Sequence, residues 1–257
     1  MPNPRPTTSV QLIGGPTVLI TVGGLRLLTD PTFDPPGQYR SGSGSILTKT
    51  AGPAVPREQV GALDAVLLSH DQHPDNLDTS GRELLGRVPI VLGTASAATR
   101  LGEAVRPLAP YQQFELTDDL TVTAVPAEHG PAEVLHLSGE VIGFVLSRAG
   151  LPRIYVSGDN SSVEVARQIG ERLGPFDLAI LYCGAANTPV FGDALITMNG
   201  VGAAEAAVAL AADLVVPAHV DGWAHFTEGR DQVERAFLAA GLGDRLRLLA
   251  PGERLEL

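Results

Sequence analysis

Four apolar runs in this chain each end, within about three residues, in a histidine or an aspartate. Residues 65–69 run into His70, residues 120–128 into His129, residues 154–158 into Asp159 and residues 214–218 into His219. Imidazole and carboxylate are good ligands for divalent transition ions, and three or four of them make a site. In layered α/β proteins ligands bind beyond the carboxyl ends of strands, so four such ends can meet on one rim. A lone strand-end histidine usually does no more than satisfy a loop. Four strand-end groups in a chain with six histidines reverse that balance.

The densest segment is Ser69-His70-Asp71-Gln72-His73-Pro74-Asp75-Asn76-Leu77-Asp78, a strand-to-helix turn holding two histidines and several carboxylates. A helix start capped by Asp75 or Asn76 explains acidic residues there. It does not explain the two histidines.

This segment resembles the His-x-His-x-Asp-His signature of the metallo-β-lactamase superfamily. It is most similar to the branch containing L-ascorbate-6-phosphate lactonase, with Ser-His-x-His-x-Asp-His-Leu-Asp. Further landmarks follow in the family's order: Pro126-Ala127-Glu128-His129, then Tyr155-Val156-Ser157-Gly158-Asp159-Asn160, then Val216-Pro217-Ala218-His219. The early glycine-turn strands and Leu28-Thr29-Asp30-Pro31 also fit, so the likeness covers nearly the whole chain. The resemblance implies an α/β fold, the αββα sandwich of the metallo-β-lactamase type, with a centre for one or two divalent ions: zinc first, manganese or iron next. It implies His70, His73 and His129 around one ion, Asp75 and His219 on a second, and Asp159 between them. One extra residue separates the first two histidines, so either Gln72 or His73 takes the second place; imidazole binds these ions better than an amide, which favours His73. Asn76 stands where the family has a histidine, which predicts a weaker second ion and an Asn76 that hydrogen-bonds water or substrate.

A bound divalent ion lowers the pKa of a water to about 7 and supplies hydroxide at neutral pH. The resemblance therefore implies hydrolysis of a small-molecule ester, lactone, amide or phosphoester, anionic metabolites included, with Asp75 orienting the water or taking its proton. Two other readings compete: a degenerate relative that only binds a small molecule, and a nuclease of the same fold. Trp223 and His225 follow His219 closely and are candidates to line the substrate pocket, with ordinary packing as good an account of Trp223. His136 has no ligand-like setting and reads as a surface residue, Cys183 as a small core residue, and Asp30 as a turn former before Pro31.

These residues need elements to hold them. Glycine pairs separate early strands at 10–13, 18–22 and 25–28. Residues 34–57 carry Gly, Pro and Ser without periodicity and predict a long loop. Strands are then expected at 65–68, 90–92, 120–125, 141–146, 154–156, 178–182 and 214–216. Helices are expected at 77–86, 95–102, 161–173, 202–212 and 232–240. Strands alternating with helices after an opening meander predict one layered α/β domain over residues 1–257.

Bulk properties narrow the function classes. Eighteen basic and 29 acidic residues give a net charge of −11, and no basic run occurs, which disfavours nucleic acid and anionic membranes as partners. A small-molecule substrate and a possible homo-oligomer remain. No apolar run reaches the roughly 18–20 residues of a membrane span. A single cysteine excludes an internal disulfide and cysteine-rich zinc sites, and a cytoplasmic location is the default expectation.

Overall fold

The computed structural model describes residues 8–42 and 44–257. Its strands are β1 (Ser9–Gly14), β2 (Thr17–Val22), β3 (Leu25–Thr29), β4 (Gly37–Arg40), β5 (Ile46–Lys49), β6 (Ala65–Leu67), β7 (Val91–Gly93) and β8 (Arg106–Pro107). They continue with β9 (Gln113–Glu115), β10 (Leu120–Pro126), β11 (Ile142–Arg148), β12 (Ile154–Val156), β13 (Phe176–Tyr182), β14 (Ala212–Ala218) and β15 (Arg254–Glu256). The helices are α1 (Thr79–Leu85), α2 (Ala95–Leu101), α3 (Leu135–Ser138), α4 (Val163–Leu173), α5 (Gly200–Ala209) and α6 (Arg230–Ala239). Seven strands form one sheet in the order β15-β1-β2-β3-β6-β7-β8, and six form a second in the order β14-β13-β12-β11-β10-β9.

The period of two along each strand sorts the apolar side chains into layers. Leu27 and Leu67 point between the sheets, where they meet Val122, Phe144, Ile154 and Ile180 of the second sheet. Their neighbours Leu28, Val66 and Leu68 face outward and pack with Leu85 of α1 and Ala97 of α2. On the second sheet Val145, Tyr155, Ala179 and Leu181 face outward against Ala166 and Ile169 of α4, Ala203 and Ala207 of α5, and Phe237 of α6. Three buried layers thus separate helix, sheet, sheet and helix, which is the αββα sandwich.

Side-chain caps start the site-bearing helices: Asp78 accepts from Gly81 N at 2.8 Å, Thr94 from Ala97 N at 3.0 Å and Ser162 from Val165 N at 3.2 Å. The residues expected to form a continuous loop at 34–57 instead contain the β4–β5 hairpin, paired from Gly37↔Lys49 to Arg40↔Ile46. Its strands belong to neither large sheet, and only Leu47 and Lys49 are buried in them, so no apolar alternation marks them in sequence. Lys49 anchors the hairpin to buried Asp78 at 3.1 Å, and Ala224 N donates to Thr48 O at 2.9 Å. The edge strands β8, β9 and β15, of two or three residues each, carry too little pattern to be read in advance. Among the described residues no helix is long and apolar enough to cross a membrane.

Candidate metal centre

Strand direction brings the ligand candidates together. β10 and β12 are both antiparallel to β11, and β12, β13 and β14 are mutually parallel, so β10, β12 and β14 end on the same edge. The end of β6 is tied to that edge by Ile142 N donating to Ser69 O at 3.2 Å. His70, His129, Asp159 and His219, each beyond one of these ends, are all essentially buried.

Two ligand sets result, His70 with His73 and His129, and Asp75 with Asp159 and His219; within each, the candidate donor atoms lie within 4.8 Å of one another. His73 Nδ1 is 3.1 Å from His70 Nε2 and 3.2 Å from His129 Nε2. His219 Nε2 is 3.2 Å from Asp75 Oδ2 and 3.7 Å from Asp159 Oδ1. Asp159 Oδ2 lies 3.5 Å from His129 Nε2 and 4.0 Å from His70 Nε2, so its carboxylate stands between the two sets.

Each residue of the signature segment has its own direction. His70 and His73 point into the centre, whereas the Gln72 side chain turns toward Gly139 with its Oε1 accepting from Asp71 N at 3.3 Å, and the Gln72 backbone carbonyl accepts from Gly42 N at the hairpin tip at 2.8 Å. Asp71 is held by Arg100 of α2 through both carboxylate oxygens. Asp78 caps α1 and takes Lys49. Asn76, fully buried, donates Nδ2 to Asp159 Oδ1 at 3.0 Å and so aims the shared carboxylate.

Ring protonation follows from the partners. Ile196 O can only accept, so His129 Nδ1, at 2.6 Å from it, carries the proton and leaves the Nε2 lone pair facing the centre. Burial and the neighbouring imidazoles push His70 well below, and His129 to about 3 from, the usual histidine value. The imidazole set is therefore neutral and ready to ligate. Burial opposes ionisation of Asp75, yet His225 and His219 outweigh it and hold its carboxyl well below the ordinary range. Asp159 is pushed up to about 6 by burial, with Asp75 adding to the rise. His219 is raised in spite of burial, because Asp159 and Asp75 face it.

The backbone is shaped for this convergence. His219 has φ +57°, a left-handed conformation that costs a non-glycine residue about 1 kcal/mol or more. It is kept by His219 N donating to Gly15 O at 2.7 Å and by Tyr182 stacked on the ring at 5.4 Å. Gly158, at φ +57°, lets the Asp159 turn pass Ile142 O, which a Cβ would approach to 2.7 Å.

Sequence reasoning missed two positioning residues. Asp30 is buried, and it accepts from Ser69 N at 2.7 Å and from Tyr182 Oη at 2.9 Å, linking the first ligand loop to the ring beneath His219. Asn160 accepts from Glu128 N at 3.0 Å and so ties the His129 and Asp159 loops together. Their side-chain types gave no signal, since their partners lie far away in sequence. His225 sits 2.9 Å from Asp75 Oδ2. Trp223 packs under the hairpin, with Lys49 Nζ 5.5 Å from its ring, and faces a separate pocket of about 180 Å³ beside Gly14 and Gly15. His136 is exposed, and Cys183 is buried in the outer core of the second sheet.

The centre fits divalent cations on its own terms. Asp75 Oδ1 and Asp159 Oδ2 are buried without a hydrogen-bond partner, and ring nitrogens of His70 and His129 converge on that of His73 at 3.1 and 3.2 Å. Orphaned buried carboxylate oxygens are costly unless a cation takes them.

Residues 25–220 match the β-lactamase superfamily domain. The chain belongs to the metallo-β-lactamase superfamily. It is 30% identical over 189 residues to an uncharacterised protein of Mycobacterium tuberculosis, covering 70% of this chain and 50% of that protein, so the match spans half the length of that relative. It is 26% identical over 258 residues to a metal-dependent hydrolase of Rubrobacter xylanophilus, covering 96% of each. Among solved structures it is similar to the isothiocyanate hydrolase from Delia radicum gut bacteria, with TM-score 0.81 and 22% identity over 96% of this chain and 98% of that one. That structural likeness shows the fold.

Proposed function

We propose that this superfamily member is a metal-dependent hydrolase of small uncharged molecules that carry an apolar part. The observation that carries the reading is the buried convergence of His70, His73, His129, Asp75, Asp159 and His219, of which His73 and Asp75 end a narrow passage that shares Leu47, Thr188 and His225 with a cleft of about 500 Å³. Divalent ions held by these residues, zinc first among them, supply Lewis acidity and a nucleophile at neutral pH.

The chain's own groups do the rest. Asp75, ionised and with Oδ1 free of protein partners, is the acceptor for the proton of the attacking water. Asn76 fixes the orientation of Asp159, and Ile196 O fixes the tautomer of His129. A narrow passage bounded by Leu47, Thr188, Phe191, Ile196 and His225 excludes bulk water from His73 and Asp75. Leu47, Thr188 and His225 also line the wider cleft of about 500 Å³ formed by residues 45–48, residues 187–190 and Ala224. Neither lysine nor arginine is among the described residues of its wall, and Ile46 and Val190 expose apolar surface there. An anionic group would find no counter-charge in that wall, whereas an uncharged apolar body would gain by burial.

Isothiocyanates, the class named for the similar gut-bacterial structure, have this character. So do simple esters and lactones without a charged group, whereas the phosphorylated lactone of the branch that the signature resembles does not. The test is a panel of neutral esters, lactones and isothiocyanates beside phosphoesters, with metal analysis on the same preparation. Chelator-sensitive turnover of neutral members and about one to two divalent ions per chain are expected. Metal content well below half an ion per chain after reconstitution would sink the hydrolase reading. Turnover of phosphoesters alone would sink the substrate class.

A further inference from the structure

We infer that His225 is a ligand of the second cation position, supplying the imidazole that the signature segment lacks at Asn76. The inference rests on the metal-centre reading above and changes what that centre holds. His225 Nε2 stands 2.9 Å from Asp75 Oδ2, the same oxygen that His219 Nε2 meets at 3.2 Å. Metal–nitrogen and metal–oxygen bonds of about 2.0–2.1 Å in a tetrahedron set neighbouring donor atoms roughly 3.3 Å apart. Each imidazole nitrogen lies at about that spacing from Asp75 Oδ2, and Asp159 Oδ1 stands 3.7 Å from His219 Nε2.

Asn76 is ill suited to the same task, although its Oδ1 is buried without a hydrogen-bond partner. Its amide nitrogen is committed to Asp159 Oδ1, and an amide oxygen is a poor ligand for transition ions. Without His225 the second position has Asp75, His219 and a carboxylate shared with the first. With it there are four donors, the number a tetrahedral site takes.

His225 is also held as ligands are held. Its side chain is only 8% exposed. On one side Ala224 N donates to Thr48 O at 2.9 Å, and on the other Asn187 N donates to His225 O at 3.0 Å. Trp223 and Phe226 pack against the ring with centroids at 6.0 and 4.6 Å. The residue therefore stands between the centre and the cleft, with the backbone on both sides fixed.

The experiment loads chelator-stripped protein with zinc or cobalt and reads stoichiometry, affinity and absorption rather than turnover. The intact chain is expected to bind two ions of comparable affinity. His225→Ala is expected to keep one tight ion and to weaken the second by about a hundredfold or more, since even outer partners of metal ligands are worth about 10- to 100-fold. Gln72→Ala, whose side-chain oxygen accepts from Asp71 N rather than facing the centre, is expected to keep two at the parent's affinity. His225→Cys loaded with cobalt gives a direct readout: a thiolate-to-cobalt charge-transfer band appears if position 225 ligates. An intact chain that binds one ion, unchanged second-ion affinity in His225→Ala, or a folded His225→Cys that loads two cobalt ions without the band would each overturn the inference while leaving the hydrolase reading standing. An intact chain that binds no ion fails that broader reading instead.

Discussion

The two halves of the centre are built on opposite electrostatic plans. His70, His73 and His129 form an all-imidazole half, held neutral by burial and by one another. Asp75, Asp159, His219 and His225 form a mixed half, in which the carboxylates raise His219 and the histidines hold Asp75 ionised. The first half offers lone pairs with no charge to neutralise a cation; the second offers charge but partly satisfies itself without one. An ion bound in the first half alone would keep nearly its full charge in a buried site. Asp159, reaching from one half to the other, is what makes the pair workable.

The sharpest way to break this comparison is to neutralise that shared group. Asp159→Asn should lower the affinity of both halves and reduce turnover by about a thousandfold or more, because it removes a charged ligand from each ion. If elemental analysis shows one half still filled at full affinity, the halves are independent and the comparison fails.

A smaller effect separates the halves. His73→Ala should empty the imidazole half and leave the mixed half occupied at reduced affinity, whereas Gln72→Ala, a side chain turned out of the centre, should retain both ions. Calorimetric metal titration of the two variants distinguishes them, and the reverse pattern would show that the loop is misread.

The smallest effect concerns Asp30, which links the halves from below. Burial pushes its carboxyl up from 3.8 to about 7 in the metal-free fold. A folded pKa above the unfolded one means the folded state binds that proton more tightly. Its contribution to stability is therefore full below pH 3.8 and is lost as pH rises toward about 7. Asp30→Asn cannot ionise, so the thermal midpoint of the metal-free variant relative to the parent should climb between pH 4 and 7. A difference that stays flat across that range would show that Asp30 is ionised throughout.

Much of this centre was legible in the sequence because strand ends are legible. The runs ending at His70, His129, Asp159 and His219 carry buried strand composition, and parallel packing puts such ends on one rim. Apolar period and glycine punctuation carried a layered α/β domain, whereas the αββα order was implied by the family resemblance alone. Within the signature segment, type alone fails. Asp71, Asp75 and Asp78 are the same residue, yet one meets Arg100, one meets two histidines and one meets Lys49. Their directions follow from turn geometry and from partners distant in sequence. The hairpin was illegible for a related reason: Lys49, a buried charge, holds it, and buried lysines are too rare to be expected.

Asp75 meets His219 and His225 across 144 and 150 residues of chain, and Asn76 meets Asp159 across 83. Contacts this distant are slow to close and are rewarded only after the intervening segments have ordered. During synthesis, a nascent chain that has reached residue 200 holds all three imidazoles of the first half and both carboxylates of the second, but neither histidine that faces Asp75. The second half is thus a late product of folding, completed only when β14 has joined its sheet and the turn after it has closed over the hairpin.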